Sequence, residues 1–316
     1  MTPIPFFLNI AHRGARAFAP ENTIQAIRMA RRLGANAVEV DVQMSRDGEL
    51  IVFHDDDVTR CSDGIHKYPL HTNYAASAFT WEELRALDVG AWYVHELARA
   101  PLHRSRYLQG LEAEEVQQWI TSADADDYES GAVRIPHLRE ALVAARECSL
   151  AAVLDLKTIP RRYPSMATKT VELIRALAMQ SQTLITSFDH ALLEEVRAQD
   201  GTIATGVLTA ERLHRPREYV QALDADAYEP ACAADSDVVR RGVSPEDLDT
   251  AMIHELTGAG VMVNVWTENA DARMRALIEA GVTGIFTDYP NRLARVLAAM
   301  GRDAPLYPRL RHPSSA

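Results

Sequence analysis

Eight short apolar runs, most of them separated by segments with helical spacing, restrict this chain more than any other feature. They are Phe6–Ala11, Ala37–Val42, Ala151–Lys157, Thr183–Phe188, Ile203–Leu208, Ala225–Glu229, Val261–Trp266 and Gly284–Asp288. Helical patterns lie between most of them, at Ser165–Met179, His190–Gln199, Pro245–Ala259, Asn269–Ala280 and Asn291–Met300. Continuous apolar runs, as opposed to alternating ones, suit strands buried on both faces, as in a parallel sheet covered by helices. The count and the alternation predict an α/β fold, a closed (β/α)8 barrel, ahead of a doubly wound open sheet. A chain of 316 residues, 47% hydrophobic, has the length and the apolar content for one such domain. That domain is expected over residues 1–301, with an irregular tail over 302–316.

The first third of the chain modifies the pattern. Ile24, Ile27, Ala30 and Leu33 recur at helical spacing after an N-cap at Asn22 or Thr23 and before Gly34, so the chain opens as a βαβ unit with a right-handed crossover. Between Val42 and Leu50 too few residues remain for another parallel crossover, and Asp47-Gly48 is a tight-turn signal. The second strand therefore turns back as an antiparallel hairpin. A two-residue turn at Asp47-Gly48 would pair Ser45 with Leu50, Gln43 with Val52 and Asp41 with His54. Further on, Thr80 and Glu83 have capping-box spacing for a helix through Leu87. From Gly90 to Gly131 regularity fades, apart from a helix near Ala113–Ile120; Asp124, Asp126 and Asp127 read as a solvated acidic loop. This stretch is expected to be an insertion before the third barrel strand, placed to act as a lid.

Barrel chemistry gathers at the C-terminal ends of the strands. His12 and Arg13 follow the first strand, Glu39 and Asp41 end the second, Asp155 and Lys157 the third, and Trp266 the seventh. Glu39 and Asp41, two apart on a strand, share a face, and two carboxylates side by side repel unless a cation lies between them. With Asp155 they offer only oxygen ligands, which suits one divalent cation, Mg²⁺ or Ca²⁺, better than zinc. The competing reading is a structural ion cluster with Arg13 and Lys157. His12 and His54, brought together by the hairpin, form an acid/base pair, and Arg13 offers a planar fork for phosphate oxygens. Metal, arginine and paired histidines point to phosphoryl transfer. Lys157 and Trp266 are the further candidate substrate contacts, with Trp266 equally suited to a place in the core. Ser187-Phe188 and Tyr228-Glu229 are expected to pack.

The net charge of −11 argues against broad attraction to nucleic acid. Cys61, Cys148 and Cys232 are odd in number and far apart, which suggests neither disulfides nor a zinc site. With no signal-peptide pattern and no transmembrane segment, a cytoplasmic location is expected. The partner is then a small-molecule phosphodiester substrate.

Taken together, Ala11-His12-Arg13-Gly14, Pro20-Glu21-Asn22-Thr23, Glu39-Val40-Asp41-Val42, Asp47-Gly48, His54-Asp55, Ile135-Pro136, Ser187-Phe188, Trp266-Thr267 and the run Gly284 to Pro290 make a chain that resembles the glycerophosphodiester phosphodiesterase family. The resemblance implies a TIM barrel and metal-dependent cleavage of a glycerophosphodiester to glycerol 3-phosphate and an alcohol. It casts His12 and His54 as acid and base, Arg13 as the phosphate contact, and Glu39 and Asp41 as metal ligands. The family's third ligand is commonly the Glu of a Glu-x-Lys motif, where this chain has Asp155-Leu156-Lys157. Related sphingomyelinase D enzymes use an Asp as a ligand, which makes lysophospholipase D or sphingomyelinase D-like cleavage of a lipid the alternative activity.

Overall fold

The first apolar run becomes a four-residue strand, β1 (Leu8–Ala11), fully buried and joined on both edges to parallel neighbours. The other strands are β2 (Ala37–Met44), β3 (Leu50–Val52), β4 (Ala151–Leu156), β5 (Thr183–Ser187), β6 (Ala204–Thr209), β7 (Ala227–Pro230), β8 (Met262–Val265) and β9 (Gly284–Thr287). The order β1-β9-β8-β7-β6-β5-β4-β2, closed by β1–β2 pairing, is a ring of eight parallel strands, with β3 attached antiparallel to β2. This computed structural model describes residues 6–158, 163–211, 213–232, 250–302, 304, 305 and 310. Most of the tail expected at 302–316, and the start of the helix expected at Pro245, lie outside the described residues. Among the described residues no helix is long and apolar enough to cross a membrane.

Side chains of the ring strands alternate between two cores. Leu8, Ile10, Ala37, Ala151, Val153 and Leu184 point inward and fill the barrel floor, where small residues fit the narrow interior. Val38, Val40 and Val42 point outward into a larger core under the surrounding helices. Glu39 and Asp41 belong to the inward set, but nearer the C-terminal end of β2, so the polar residues begin where the apolar floor stops.

Local sequence fixes the entry to the site. Thr23 caps the helix Ile24–Arg32, its side chain accepting from the amide of Ala26. Before it the chain turns sharply, with Arg13 and Asn22 at positive φ (52° and 58°) and Gly14 at 75°. A Cβ on Gly14 would come within 2.5 Å of the Ala26 Cβ, so a glycine is required where the loop passes over the helix.

The hairpin differs from expectation by one residue. Ser45 N donates to Glu49 O (3.0 Å), and Val42, Gln43 and Met44 pair with Val52, Ile51 and Leu50. The loop therefore holds Arg46, Asp47 and Gly48, with Gly48 at φ 87° supplying the left-handed residue of a three-residue hairpin. Asp41 then lies opposite Phe53, whose amide donates to its carbonyl (3.0 Å), and His54 falls one position beyond. Gln43 holds that exit, its Nε2 donating to the carbonyls of Phe53, His54 and Asp55 at 2.9, 3.0 and 2.8 Å.

Between β3 and the helix Leu138–Glu147 the chain leaves the barrel for longer than the 90–131 stretch, and it does so as helices. Thr80 and Glu83 form the expected capping box, and Ala113–Trp119 is helical. The acidic patch is no loop: it lies in the helix Ser122–Glu129, where Asp124 completes a capping box with Thr121 and pairs with Arg32 (2.8 Å), and Asp127 accepts from Gln25. Sequence periodicity failed here because these helices are short and divide between two cores: Leu84 and Trp92 pack on a satellite core beside the barrel, whereas Tyr93, Leu108 and Tyr128 join the main one.

Candidate active site

At the C-terminal mouth a cavity of about 360 Å³ is lined by His12, Arg13, Glu39, Asp41, His54, Asp155, Lys157 and Trp266, the complete set of residues singled out from the sequence. The inward alternation of β2 delivers Glu39 and Asp41, and parallel pairing of β2 with β4 sets Asp155 beside Asp41 in register. Oxygens of Glu39, Asp41 and Asp155 lie within 4.8 Å of one another, all three residues buried.

Burial and the nearby Asp41 and Asp155 charges push the Glu39 carboxyl well above the ordinary carboxylate range. Burial also raises Asp155. Asp41 goes the other way: against the cost of burial, Lys157, His54 and Arg13 hold it well below that range. Lys157 Nζ lies 3.0 Å from Asp41 Oδ1 and 2.5 Å from Asp155 Oδ2, so part of the ion cluster weighed from the sequence is present. One acceptor is left over: Asp155 Oδ1 is buried with no hydrogen-bond partner. The three carboxylates outnumber Lys157, and this spare oxygen fits them to a divalent cation.

Each histidine has a carboxylate behind it. His12 Nδ1 is 2.9 Å from Asp288 Oδ1, and Asp288 is also bonded by Arg16 (Nε, 2.5 Å) and Asn269 (Nδ2, 2.7 Å). His54 Nδ1 is 2.7 Å from Asp55 Oδ1, and Arg60 Nε holds the other oxygen of Asp55 at 2.5 Å. These contacts direct both Nε2 atoms away from their carboxylates, and His12 Nε2 lies 4.0 Å from Glu39 Oε2. Burial, then the Arg16 charge, lower His12 to about 4. Burial and Arg13 lower His54 as well.

Arg13 is braced from several sides. Its amide donates to Glu39 Oε2 (2.7 Å), its Nη1 donates to Glu21 Oε1 (3.0 Å), and its Nε lies 3.6 Å from Asp41. Glu21 also accepts from Arg60 (2.7 Å); despite burial these two cations hold it at about 2. Glu21, Asp55 and Asp288 stand inside the sequence motifs without a role that their spacing assigns, and Arg16 and Arg60 lie outside the site residues expected from the sequence. Asp55 directly follows its partner His54, but Arg16 meets Asp288 across the β1–β9 seam and Arg60 reaches Glu21 from 39 positions away, contacts that no local spacing reveals.

The far wall of the cavity is apolar. Trp266, partly buried, donates Nε1 to Glu229 O (2.8 Å) and meets Phe188 edge to face at 5.6 Å. Phe188, expected to pack, is instead 49% exposed at the cavity. Ser187 does pack, its hydroxyl donating to Leu156 O (2.8 Å). Glu229 is fully buried below, accepts from Asn264 Nδ2 (3.0 Å), and is raised by burial to about 7.

Known proteins share this fold. The chain is 27% identical over 293 residues to a glycerophosphodiester phosphodiesterase of Bacillus altitudinis, a match covering 92% of this chain and 98% of that protein. Among solved structures, a putative glycerophosphoryl diester phosphodiesterase from Silicibacter pomeroyi superimposes with a TM-score of 0.71 at 25% identity, covering 95% of this chain and 96% of that one. An Oleispira antarctica phosphodiesterase, solved with the product sn-glycerol-3-phosphate, shares the fold at a TM-score of 0.70 and 23% identity, covering 92% and 96%. The model of the glycerophosphoryl diester phosphodiesterase family matches residues 12–292, from the first histidine of the site to the helix that follows the last barrel strand, and the chain belongs to that family of phosphoric diester hydrolases.

Proposed function

We propose that this protein hydrolyses glycerophosphodiesters to glycerol 3-phosphate and an alcohol, with His12 and His54 as the acid/base pair. The observation that supports this best is the shared cavity: two histidines, each backed by a carboxylate, meet Arg13 and three clustered carboxylates. Glu39, Asp41 and Asp155 would hold one divalent cation, Mg²⁺ or Ca²⁺. When bound it supplies Lewis-acid polarisation of the phosphoryl oxygens.

Arg13, locked by Glu21, presents its remaining N–H groups to the phosphate, and Lys157 adds a second cation. His12, neutral at pH 7, removes the proton from the nucleophile, either the neighbouring glycerol hydroxyl or water. His54 protonates the departing alcohol oxygen; arrival of the diester anion raises its pKa and so favours the acid form. If the hydroxyl attacks, a cyclic phosphate results, and the histidines exchange roles to open it with water. Trp266 and Phe188 face the apolar side of the glycerol.

The test is a panel of glycerophosphodiesters incubated with Mg²⁺, Ca²⁺ or EDTA, with products identified. Release of glycerol 3-phosphate that EDTA abolishes is expected; turnover in EDTA would remove the cation, and no turnover of any diester would end the proposal. The half-exposed Phe188 against Trp266 supports a second reading, a lysophospholipase D-like or sphingomyelinase D-like activity on a lipid diester with its acyl chain along that wall. Choline release from lysophosphatidylcholine but not from glycerophosphocholine would select it.

A further inference from the structure

Beside the catalytic cavity, and sharing Arg13 and His54 with it, lies a groove of about 630 Å³. One side comes from Ser105–Gly110 of the helical excursion, the other from residues following β8 and β9. Its lining includes Arg13, Arg16, Arg60, Arg106, Arg273 and Arg292, against only Asp55, Glu268 and Asp288. Glu21, Asp41 and Glu115 pair with three of these arginines from behind, and the lining itself presents six cations to three anions in a protein whose net charge is −11. Such a local reversal of sign is not expected from composition.

The guanidinium groups are held in place. Arg16 is fixed by Asp288 and stacks over the Tyr107 ring at 4.3 Å, Arg273 is fixed by Glu268 at 2.5 Å, and Arg292 by Glu115. A fixed fork loses little entropy on binding an oxyanion. Arg106 is exposed at the rim, with no ion pair among the described residues. Polar capacity is also unspent: Thr267 Oγ1 and Tyr107 Oη, on opposite sides of the groove, are buried without hydrogen-bond partners, and Thr267 is only 3% exposed.

We propose that this groove receives the alcohol half of the substrate and selects diesters whose alcohol carries a further oxyanion, a phosphate or a carboxylate. A phosphate on Arg13 then has one arm in the catalytic cavity, along Trp266, and the other among the arginines. The assignment rests on the diesterase reading above. It deepens that reading from a class of bond to a class of substrate.

Initial rates with glycerophosphoglycerol, glycerophosphocholine and glycerophosphoinositol 4-phosphate test it, each measured with the wild type, Arg106→Ala and Arg106→Lys. The wild type should show kcat/KM about tenfold higher for the phosphorylated alcohol than for the neutral one, the size of one charge-assisted contact, carried mainly by KM. Arg106→Ala should shrink that ratio several-fold and Arg106→Lys should recover part of it. Equal or lower kcat/KM for the phosphorylated alcohol, with the other two turned over, overturns the groove assignment and leaves the diesterase reading standing; no turnover of any of the three overturns both. A ratio unchanged by Arg106→Ala overturns the assignment of that arginine's side of the groove.

Discussion

Asp41 and Asp155 are register partners on adjacent parallel strands, and Lys157 Nζ bridges their carboxylates at 3.0 and 2.5 Å. Even with Arg13 3.6 Å from Asp41, two cations face the three carboxylates of Glu39, Asp41 and Asp155. Asp155→Asn should therefore raise the Mg²⁺ or Ca²⁺ concentration needed for half-maximal activity by roughly tenfold or more, as measured by titrating activity with each ion. Asp155→Glu should stay cation-dependent with an altered preference between the two ions, because the longer side chain changes the space between the strands.

Removal of either imidazole should be more severe than the loss of Asp155. His12→Ala and His54→Ala should each lower kcat by about 10²-fold or more, with a smaller effect on KM. Near-normal rates in both variants would discard the acid/base assignment.

The carboxylates behind the histidines orient them, so their loss should alter turnover while leaving substrate affinity mostly intact. Asp288→Asn keeps a hydrogen-bond acceptor and should cost about tenfold or more in kcat. Asp288→Ala also strands the Arg16 guanidinium, and thermal unfolding should register about 3–5 kcal/mol, as when one partner of a buried ion pair is removed.

Trp266→Ala removes a cavity wall and a donor to Glu229 O, and should raise KM several-fold with a smaller change in kcat. Trp266→Phe should recover the wall without the hydrogen bond. Steady-state kinetics on a diester with a small alcohol separate the two contributions.

Glu229 gives a pH dependence of known sign. Its folded value of about 7 is above the ordinary 4.5, so between those values the native state binds the proton that the unfolded state has released. Stability from this group is present below pH 4.5 and is lost as pH rises towards 7, on the order of 3 kcal/mol in all. Glu229→Gln should remove this loss, so that at pH 8 the variant unfolds at a higher temperature than the wild type. Equal midpoints at pH 8 would mean the carboxyl is ionised without penalty.

Strand-end chemistry was legible because a barrel converts chain order into position: residues at the ends of β1, β2, β4 and β8 reach one mouth, and the alternation that places Glu39 and Asp41 inward is visible in sequence. The hairpin was legible as a topology but not as a register, since one left-handed glycine in the loop shifts every pair by one. His54 nevertheless reached the cavity, because the Gln43 amide anchors the chain beyond the last paired residue. Asp288, Arg16 and Arg60 had no local signal; their meaning comes from partners met only on folding. Phe188 was misjudged for a related reason, since an aromatic at a strand end looks the same whether it faces a helix or a cavity.

The contact between His12 and Asp288 spans 276 positions, from the first strand to the turn after the last. A ribosome making this protein therefore releases His12 near the beginning and its carboxylate partner near the end. Until β9 has emerged and closed against β1, the imidazole has no partner to set its tautomer and the ring has an open seam. Catalytic competence thus arrives with the last strand, so incomplete chains should be inert towards the cell's phosphodiesters.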